Sequence, residues 1–242
     1  MQTELIQQRE FLTINKMKIL PLIFAVVSAL MPVIAQKTGL SSKYGFKIKM
    51  LCAFMYLITG ILSAVVFHRV TDYTVLLLGA LVSGFFGDFF LSYKNDRYFP
   101  VGVGFFALGH IIYSITFLFI GEMNALEYII PVIVMTVIMF IPVVYIIKVK
   151  LNLGKMELPI LIYALLLLFS FACGVAKGIV AIKNANLSQG LCMISASLLF
   201  VVSDILLGLK SGGMKLPKEM RHMVTYTYFP AQTLFALSIY FQ

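Results

Sequence analysis

Three ionisable side chains stand out in the apolar stretches of this chain: Asp88, His110 and Asp204. A charge at the centre of a bilayer costs about 2.5–3.5 kcal/mol or more, so such residues normally face the interior of a helix bundle and mark function. Two carboxylates with no metal-ligand set around them suggest acid–base chemistry, in which one carboxyl group gives a proton and the other takes one. A zinc site is not expected, because His110 has no neighbouring cysteine ligand.

Helical spacing places further polar residues beside these three. His110 shares a face with Tyr113, Asp204 shares one with Ser197, and Gln232 lies on a polar face of the last apolar stretch. The coincidence of polar faces on several helices predicts a common cavity. The alternative is structural: each aspartate caps a helix or pairs with a loop lysine, and His110 only ties helices together.

The composition defines the elements that must position these residues. Of the 242 residues, 61% are hydrophobic and 12% are charged, against about 25% charged in an ordinary soluble domain. This excludes a soluble enzyme, a nucleic-acid-binding domain and a disordered chain. The net charge of +9 is interpreted as basic loops facing a cytoplasm and anionic lipid, not as a nucleic-acid site.

Apolar runs of about 20 residues, the length that spans a bilayer as a helix, occur eight times. The chain is therefore predicted to be all-α, a polytopic membrane bundle of about eight helices forming one domain over residues 1–242. An alternative interpretation of the first run is a signal peptide. The predicted spans are residues 18–36, 47–67, 74–93, 99–120, 126–146, 157–176, 189–209 and 223–241.

The basic residues predict the orientation. With eight spans, thirteen lysines and arginines fall on one side and six on the side of the termini. By the positive-inside rule the thirteen face the cytoplasm, so both termini are predicted to lie outside a plasma or cell membrane.

A weak internal repeat links the two aspartates. Residues 87–94 and 203–210 both read small, Asp, apolar, apolar, Leu, variable, variable, Lys. The copies lie four spans apart, so both segments cross in the same direction and place their aspartates at matching depth.

The same segments resemble the lysoplasmalogenase (YhhN-like) family of integral membrane proteins. The likeness rests on Gly87-Asp88-x-x-Leu91, Gly109-His110-Ile111-Ile112-Tyr113 and Phe200-Val201-Val202-Ser203-Asp204, with Ala231-Gln232 in the last span. The chain has Gly109 where the family often has alanine.

The resemblance implies cleavage of the vinyl ether of a lysoplasmalogen to a fatty aldehyde and a glycerophospho-head group, with a lysophospholipid and membrane lipid as partners and no cofactor. It implies Asp88 and Asp204 as the acid–base pair, with the assignment of each role open, and His110 and Tyr113 as orienting groups. Ser197 and Gln232 are expected to contact substrate. Lys94, Arg97 and Lys210 are expected to hold the phosphate at the cytoplasmic mouth.

Three other functions compete with this one. A proton-coupled transporter also suits a parallel repeat with an acidic pair. An intramembrane aspartyl protease uses two aspartates, but Phe85-Phe86-Gly87-Asp88 lacks the first glycine of its motif and no Tyr-Asp partner occurs. A scaffold or lipid-binding protein is the third. The sequence leaves the oligomeric state open.

Overall fold

The computed structural model describes the backbone of residues 2–93, 97–120, 125–150 and 153–242, and the side chains of residues 17–93, 97–120, 128–148 and 153–242. These residues form an all-helical bundle, as predicted. The helices are α1 (Gln2–Lys37), α2 (Leu40–Val66), α3 (Asp72–Leu91), α4 (Tyr98–Phe119), α5 (Ala125–Lys150), α6 (Glu157–Lys183), α7 (Leu187–Ser211) and α8 (Lys218–Tyr240), with a 3-10 turn at Gly154–Met156 before α6.

Seven helices in the described part of the chain, α1 to α7, are long and apolar enough to cross a membrane. Helix α8 is long enough but more polar. It packs against α1, α2, α3 and α7, and its polar side chains at Thr227, Gln232, Thr233 and Ser238 are buried against protein. Because those groups do not face lipid, their polarity costs little, and α8 can lie in the bundle although it is less apolar than α1 to α7.

The other helices pack in pairs along the bundle. Helix α1 packs on α2, α2 on α3, α3 on α4, α4 on α6, and α6 on α7. Helix α5 packs along α6 at the edge of the bundle. Many apolar side chains of α5 therefore stay exposed, as expected for a helix that faces hydrocarbon.

The two helices that carry the aspartates begin in similar ways. Thr71 caps α3 by accepting a hydrogen bond from the amide of Thr74, and Asn186 caps α7 by accepting one from the amide of Gln189. Asp88 lies 17 residues after its cap and Asp204 lies 18 after its own, which is about 26 Å along a helix. Both carboxylates thus lie far from the capped end.

The capped end of the bundle is closed by polar contacts to the end of α8. The Arg69 guanidinium donates to the carbonyls of Ile239 and Tyr240 at 3.1 and 2.6 Å, and the Asn186 amide donates to the carbonyl of Phe241 at 2.7 Å. These bonds satisfy carbonyls that a helix end leaves without intrahelical partners. The opposite end of the bundle is the one that holds the aspartates.

Candidate active site

Asp88 forms an ion pair inside the bundle with a lysine from the neighbouring helix. Its side chain is only 2% exposed, and Oδ1 lies 3.0 Å from Nζ of Lys49 near the start of α2. The same ammonium donates to the Asp88 backbone carbonyl at 3.3 Å. Oδ2 of Asp88 has no hydrogen-bond partner among the described residues. One carboxylate oxygen is thus held by a cation and the other remains able to contact a ligand.

Close helix packing around α3 positions this carboxylate. A Cβ atom at Gly87 would lie 2.8 Å from the Phe106 ring of α4, and one at Gly84 would lie 2.5 Å from Nε2 of Gln232 in α8. A side chain at either position would force Phe106 or Gln232 to shift. The small residues that precede Asp88 therefore bring α4 and α8 against the site.

Asp204 is held by a tyrosine and lies near the histidine. The Tyr163 hydroxyl of α6 donates to its Oδ2, and Nε2 of His110 lies 3.6 Å from the same oxygen. Nε2 also lies 3.3 Å from the Tyr163 hydroxyl oxygen. Three helices, α4, α6 and α7, therefore converge on one carboxylate.

The orientation of His110 is fixed by Ser170. The Ser170 hydroxyl donates to the Leu167 carbonyl at 2.9 Å, so its oxygen is available to accept from Nδ1 of His110, 2.8 Å away. This assigns a proton to Nδ1 and turns Nε2 toward Tyr163 and Asp204. The imidazole is thus one member of a buried polar chain that ends at Asp204.

Tyr113 belongs to a second polar chain. Its hydroxyl donates to the Gln232 side-chain oxygen at 2.7 Å, and the Gln232 amide donates to the Tyr228 hydroxyl at 3.0 Å. Tyr228 lines the same cavity as Asp88. Tyr113 and Gln232 are therefore linked through Tyr228 to the cavity that holds Asp88, although helical spacing alone grouped Tyr113 with His110.

Both carboxylates line one cavity of about 320 Å³ at the end of the bundle opposite the caps. Its polar lining comes from five helices, α1, α2, α3, α7 and α8. The residues are Gln36, Ser41, Lys49, Asp88, Ser203, Asp204, Lys210, Thr225 and Tyr228. The side-chain oxygen of Gln36, like Oδ2 of Asp88, is buried without a hydrogen-bond partner in the described part of the protein. A polar ligand has acceptors and cations to bind here.

The other predicted contact residues lie in different places. Lys210 is exposed and lines the cavity. Arg97 is exposed just before α4, and Lys94 lies outside the described residues. Ser197 is buried but donates to the Met193 carbonyl of its own helix at 2.8 Å. It lines a small pocket beside His110 and Tyr113, so the structure does not bring it to the carboxylate cavity.

The sequence pattern does not single out three residues of the site, Lys49, Tyr163 and Ser170. Lys49 is one of the thirteen basic residues predicted on the cytoplasmic side, and it also lies inside the second predicted span, near the same end of the bundle as Asp88. Its position inside a predicted span is the sequence feature that could have identified Lys49 as a partner of Asp88. No charged residue lies within five positions of Tyr163 or Ser170 in the sequence, so nothing local marks them.

The arrangement is suited to moving protons between two carboxylates and a ligand. One oxygen of Asp88 forms an ion pair with Lys49, and one oxygen of Asp204 accepts a hydrogen bond from Tyr163. Within the described residues, no group of three or more His, Cys, Asp or Glu side chains is placed to hold a metal ion. Carboxyl, imidazole and phenol groups in such an arrangement can donate and accept protons.

Comparison with known proteins adds one match. A sequence model of the YhhN family matches residues 42–239, which include nearly all of α2 and α8, every helix between them and both aspartates. No curated protein and no solved structure matches the chain.

Proposed function

Because the chain belongs to the YhhN family, we propose that it is a lysoplasmalogenase-like hydrolase that cleaves the vinyl ether of a lysophospholipid by acid–base catalysis. The observation that carries the proposal is the single cavity lined by Asp88 and Asp204 and bordered by lysines. A membrane site of this kind suits a substrate with a charged head, an apolar chain and an acid-labile bond between them.

The reaction requires a proton and a water molecule in sequence. A proton goes to the vinyl carbon β to the ether oxygen, and the positive charge that results is shared between the α carbon and that oxygen. Water adds to the α carbon, and the hemiacetal then breaks its bond to the glycerol oxygen. The products are a fatty aldehyde and the free alcohol of the head group, so one water is consumed and no electrons are exchanged.

Asp204 is assigned the role of acid. Its Oδ2 accepts from Tyr163, which leaves Oδ1 to carry the proton that the vinyl carbon receives. The negative charge that remains after transfer is stabilised by the hydrogen bond from the Tyr163 hydroxyl. Tyr163 and His110 act through Asp204 and are positioning residues.

Asp88 is assigned the role of base. The Lys49 ammonium 3.0 Å from Oδ1 favours a carboxylate, and Oδ2 is left to contact water. This carboxylate stabilises the cation and takes a proton from the attacking water. When the hemiacetal collapses, its hydroxyl proton returns to Asp204 and Asp88 gives its proton to the departing glycerol oxygen. Both carboxyl groups are then in their starting states.

The lysines that border the cavity suit the phosphate of the substrate. Lys210 is exposed at the cavity and Lys49 is partly exposed within it. An exposed ammonium can hold a phosphate without paying a full desolvation cost. A role for Lys94 and Arg97 in the same contact stays a prediction.

The test is aldehyde release by the purified protein in nanodiscs. Three lysophospholipids with one chain length are compared: the vinyl ether, the saturated ether and the ester. We expect aldehyde from the vinyl ether alone and none above background from an Asp88→Asn/Asp204→Asn variant that keeps its thermal stability. Equal signals from wild type and variant would overturn the proposal.

The buried polar chains around the two aspartates also suit a proton-coupled carrier, which is the alternative function. A carrier predicts no aldehyde and a proton flux that depends on solute when the protein is in sealed vesicles. The two measurements therefore separate the two functions.

A further inference from the structure

A second cavity, almost wholly apolar, adjoins the carboxylate cavity. Its volume is about 110 Å³, and it lies between the start of α4, the second half of α5, the start of α6 and the end of α7. Apolar side chains such as Phe99, Val103, Val143, Ile147 and Ile160 line it.

The two cavities meet at Asp204. Leu91, Phe106, Asp204 and Leu207 line both of them. Lysines line the polar cavity, and apolar side chains line the other one. The carboxylate therefore lies at a boundary in polarity, as the scissile bond does in a single-chain ether lipid with the head group on one side and the alkyl chain on the other.

We propose that the apolar cavity holds the hydrocarbon chain of the lipid substrate, and that the chain reaches it sideways from the bilayer beside α5. This inference rests on the proposed function, since it names the part of the substrate that occupies this space. Helix α5 packs along α6 at the edge of the bundle, so one wall of the cavity is the most lipid-exposed helix. A chain already in hydrocarbon needs no transfer through water to enter there.

Because the chain enters the cavity from the bilayer, the cavity contributes to positioning of the substrate and little to its binding affinity. Bilayer and cavity are similarly apolar, so moving the chain between them gains little affinity. The cavity acts through shape: it fixes where the chain lies and hence which carbon faces Asp204. We therefore expect obstruction of the cavity to discriminate between chain lengths.

Gly208 is the position at which a larger side chain would obstruct the cavity. It lies one turn after Asp204 on α7 and lines the apolar cavity, and a Cβ atom there would have nothing within 4 Å. Gly104 on α4 is a matched control. A Cβ atom there would also meet open space, but Gly104 is exposed and does not line the cavity.

The first experiment compares Gly208→Phe, Gly208→Leu and Gly104→Phe with the wild type, using vinyl ether lysophospholipids with a long and a short chain. We expect kcat/KM of Gly208→Phe to fall about tenfold or more for the long chain and less than about threefold for the short one, with Gly208→Leu intermediate. Gly104→Phe should match the wild type. Equal losses for both chains in a folded Gly208 variant would overturn the inference.

The second experiment needs no catalysis and no variant that must fold. A saturated ether lysophospholipid with a photoreactive diazirine on the alkyl chain a few carbons from the ether oxygen is crosslinked to the wild-type protein, and labelled peptides are identified by mass spectrometry. We expect label on the cavity walls, at residues 143–147 of α5 or 205–209 of α7, and competition by unlabelled lipid.

The outcomes separate the two proposals. Label on these walls without aldehyde release from the vinyl ether supports the chain site and refutes the hydrolase. Aldehyde release with label only outside the cavity supports the hydrolase and refutes the chain site.

Discussion

The pairing of Lys49 with Asp88 leads to a prediction that tests the assigned role of base. Replacing Lys49 by Met removes the ammonium and leaves a side chain of similar length. Asp88 stays 2% exposed in its surroundings, so without the cation it is expected to take a proton instead of remaining charged. A protonated Asp88 cannot accept the proton of water, and aldehyde release should fall.

The size of the effect follows from the geometry. Two unit charges 3.0 Å apart interact by about 5.5 kcal/mol at an effective dielectric constant of about 20. The Lys49 side chain is 31% exposed, and solvent screening reduces the interaction to about 2–3 kcal/mol. At about 1.4 kcal/mol for each factor of ten, this corresponds to a loss of activity of about 30- to 150-fold.

The assay is aldehyde release at saturating vinyl ether lysophospholipid, with thermal unfolding measured in parallel. Lys47→Met is the matched control, because Lys47 is an exposed lysine two residues away on the same helix, and it should retain wild-type activity. Lys49→Arg keeps the positive charge and should retain more activity than Lys49→Met. A folded Lys49→Met protein within about twofold of the wild type would refute an ionised Asp88 as the base.

Other predictions concern the second carboxylate, its tyrosine and the topology. Asp88→Asn and Asp204→Asn should each lower aldehyde release about a hundredfold or more, and the double variant should be little worse than either, because the two residues act as a unit; additive losses in single-turnover kinetics would contradict this. Tyr163→Phe removes the hydrogen bond to Asp204 and should lower kcat about tenfold or more with KM little changed; a change in KM alone would contradict a role in the chemical step. A cysteine at Leu187 should react with an impermeant thiol reagent on intact cells and one at Gly212 should not; the reverse labelling would invert the orientation.

The helices could be predicted from sequence because lipid imposes a simple rule on them. Every backbone polar group in hydrocarbon must be bonded within its own segment, so long apolar runs become helices. The same rule made Asp88, His110 and Asp204 conspicuous, and the structure places Asp88 and Asp204 on one cavity and His110 next to Asp204. An ionisable residue is rare in an apolar span, and its rarity strongly indicates a candidate site residue.

The partners of these residues could not be predicted, because pairing depends on helix rotation and tilt. Lys49 is one of several lysines near the start of α2, and only the packing of α2 against α3 selects it over Lys47. Tyr163 is one of twelve tyrosines and has no local feature that links it to Asp204. Ser197 shows the opposite error: its spacing from Asp204 suggested the cavity, but a serine in an apolar helix can bond to the carbonyl four residues earlier, and this one does.

The polarity of α8 has a consequence for how the protein is made. A translocon inserts a segment readily when the segment is apolar enough to partition into lipid by itself, and α8 falls short of the level that α1 to α7 reach. Its packing partners α1, α2, α3 and α7 all precede it in the chain, so they leave the ribosome earlier. Helix α8 can therefore enter a groove already built from protein, where Gln232 and Tyr228 find partners. We therefore expect membrane integration of this segment to follow assembly of its predecessors, and the carboxylate cavity, which α8 lines, to form only after that step.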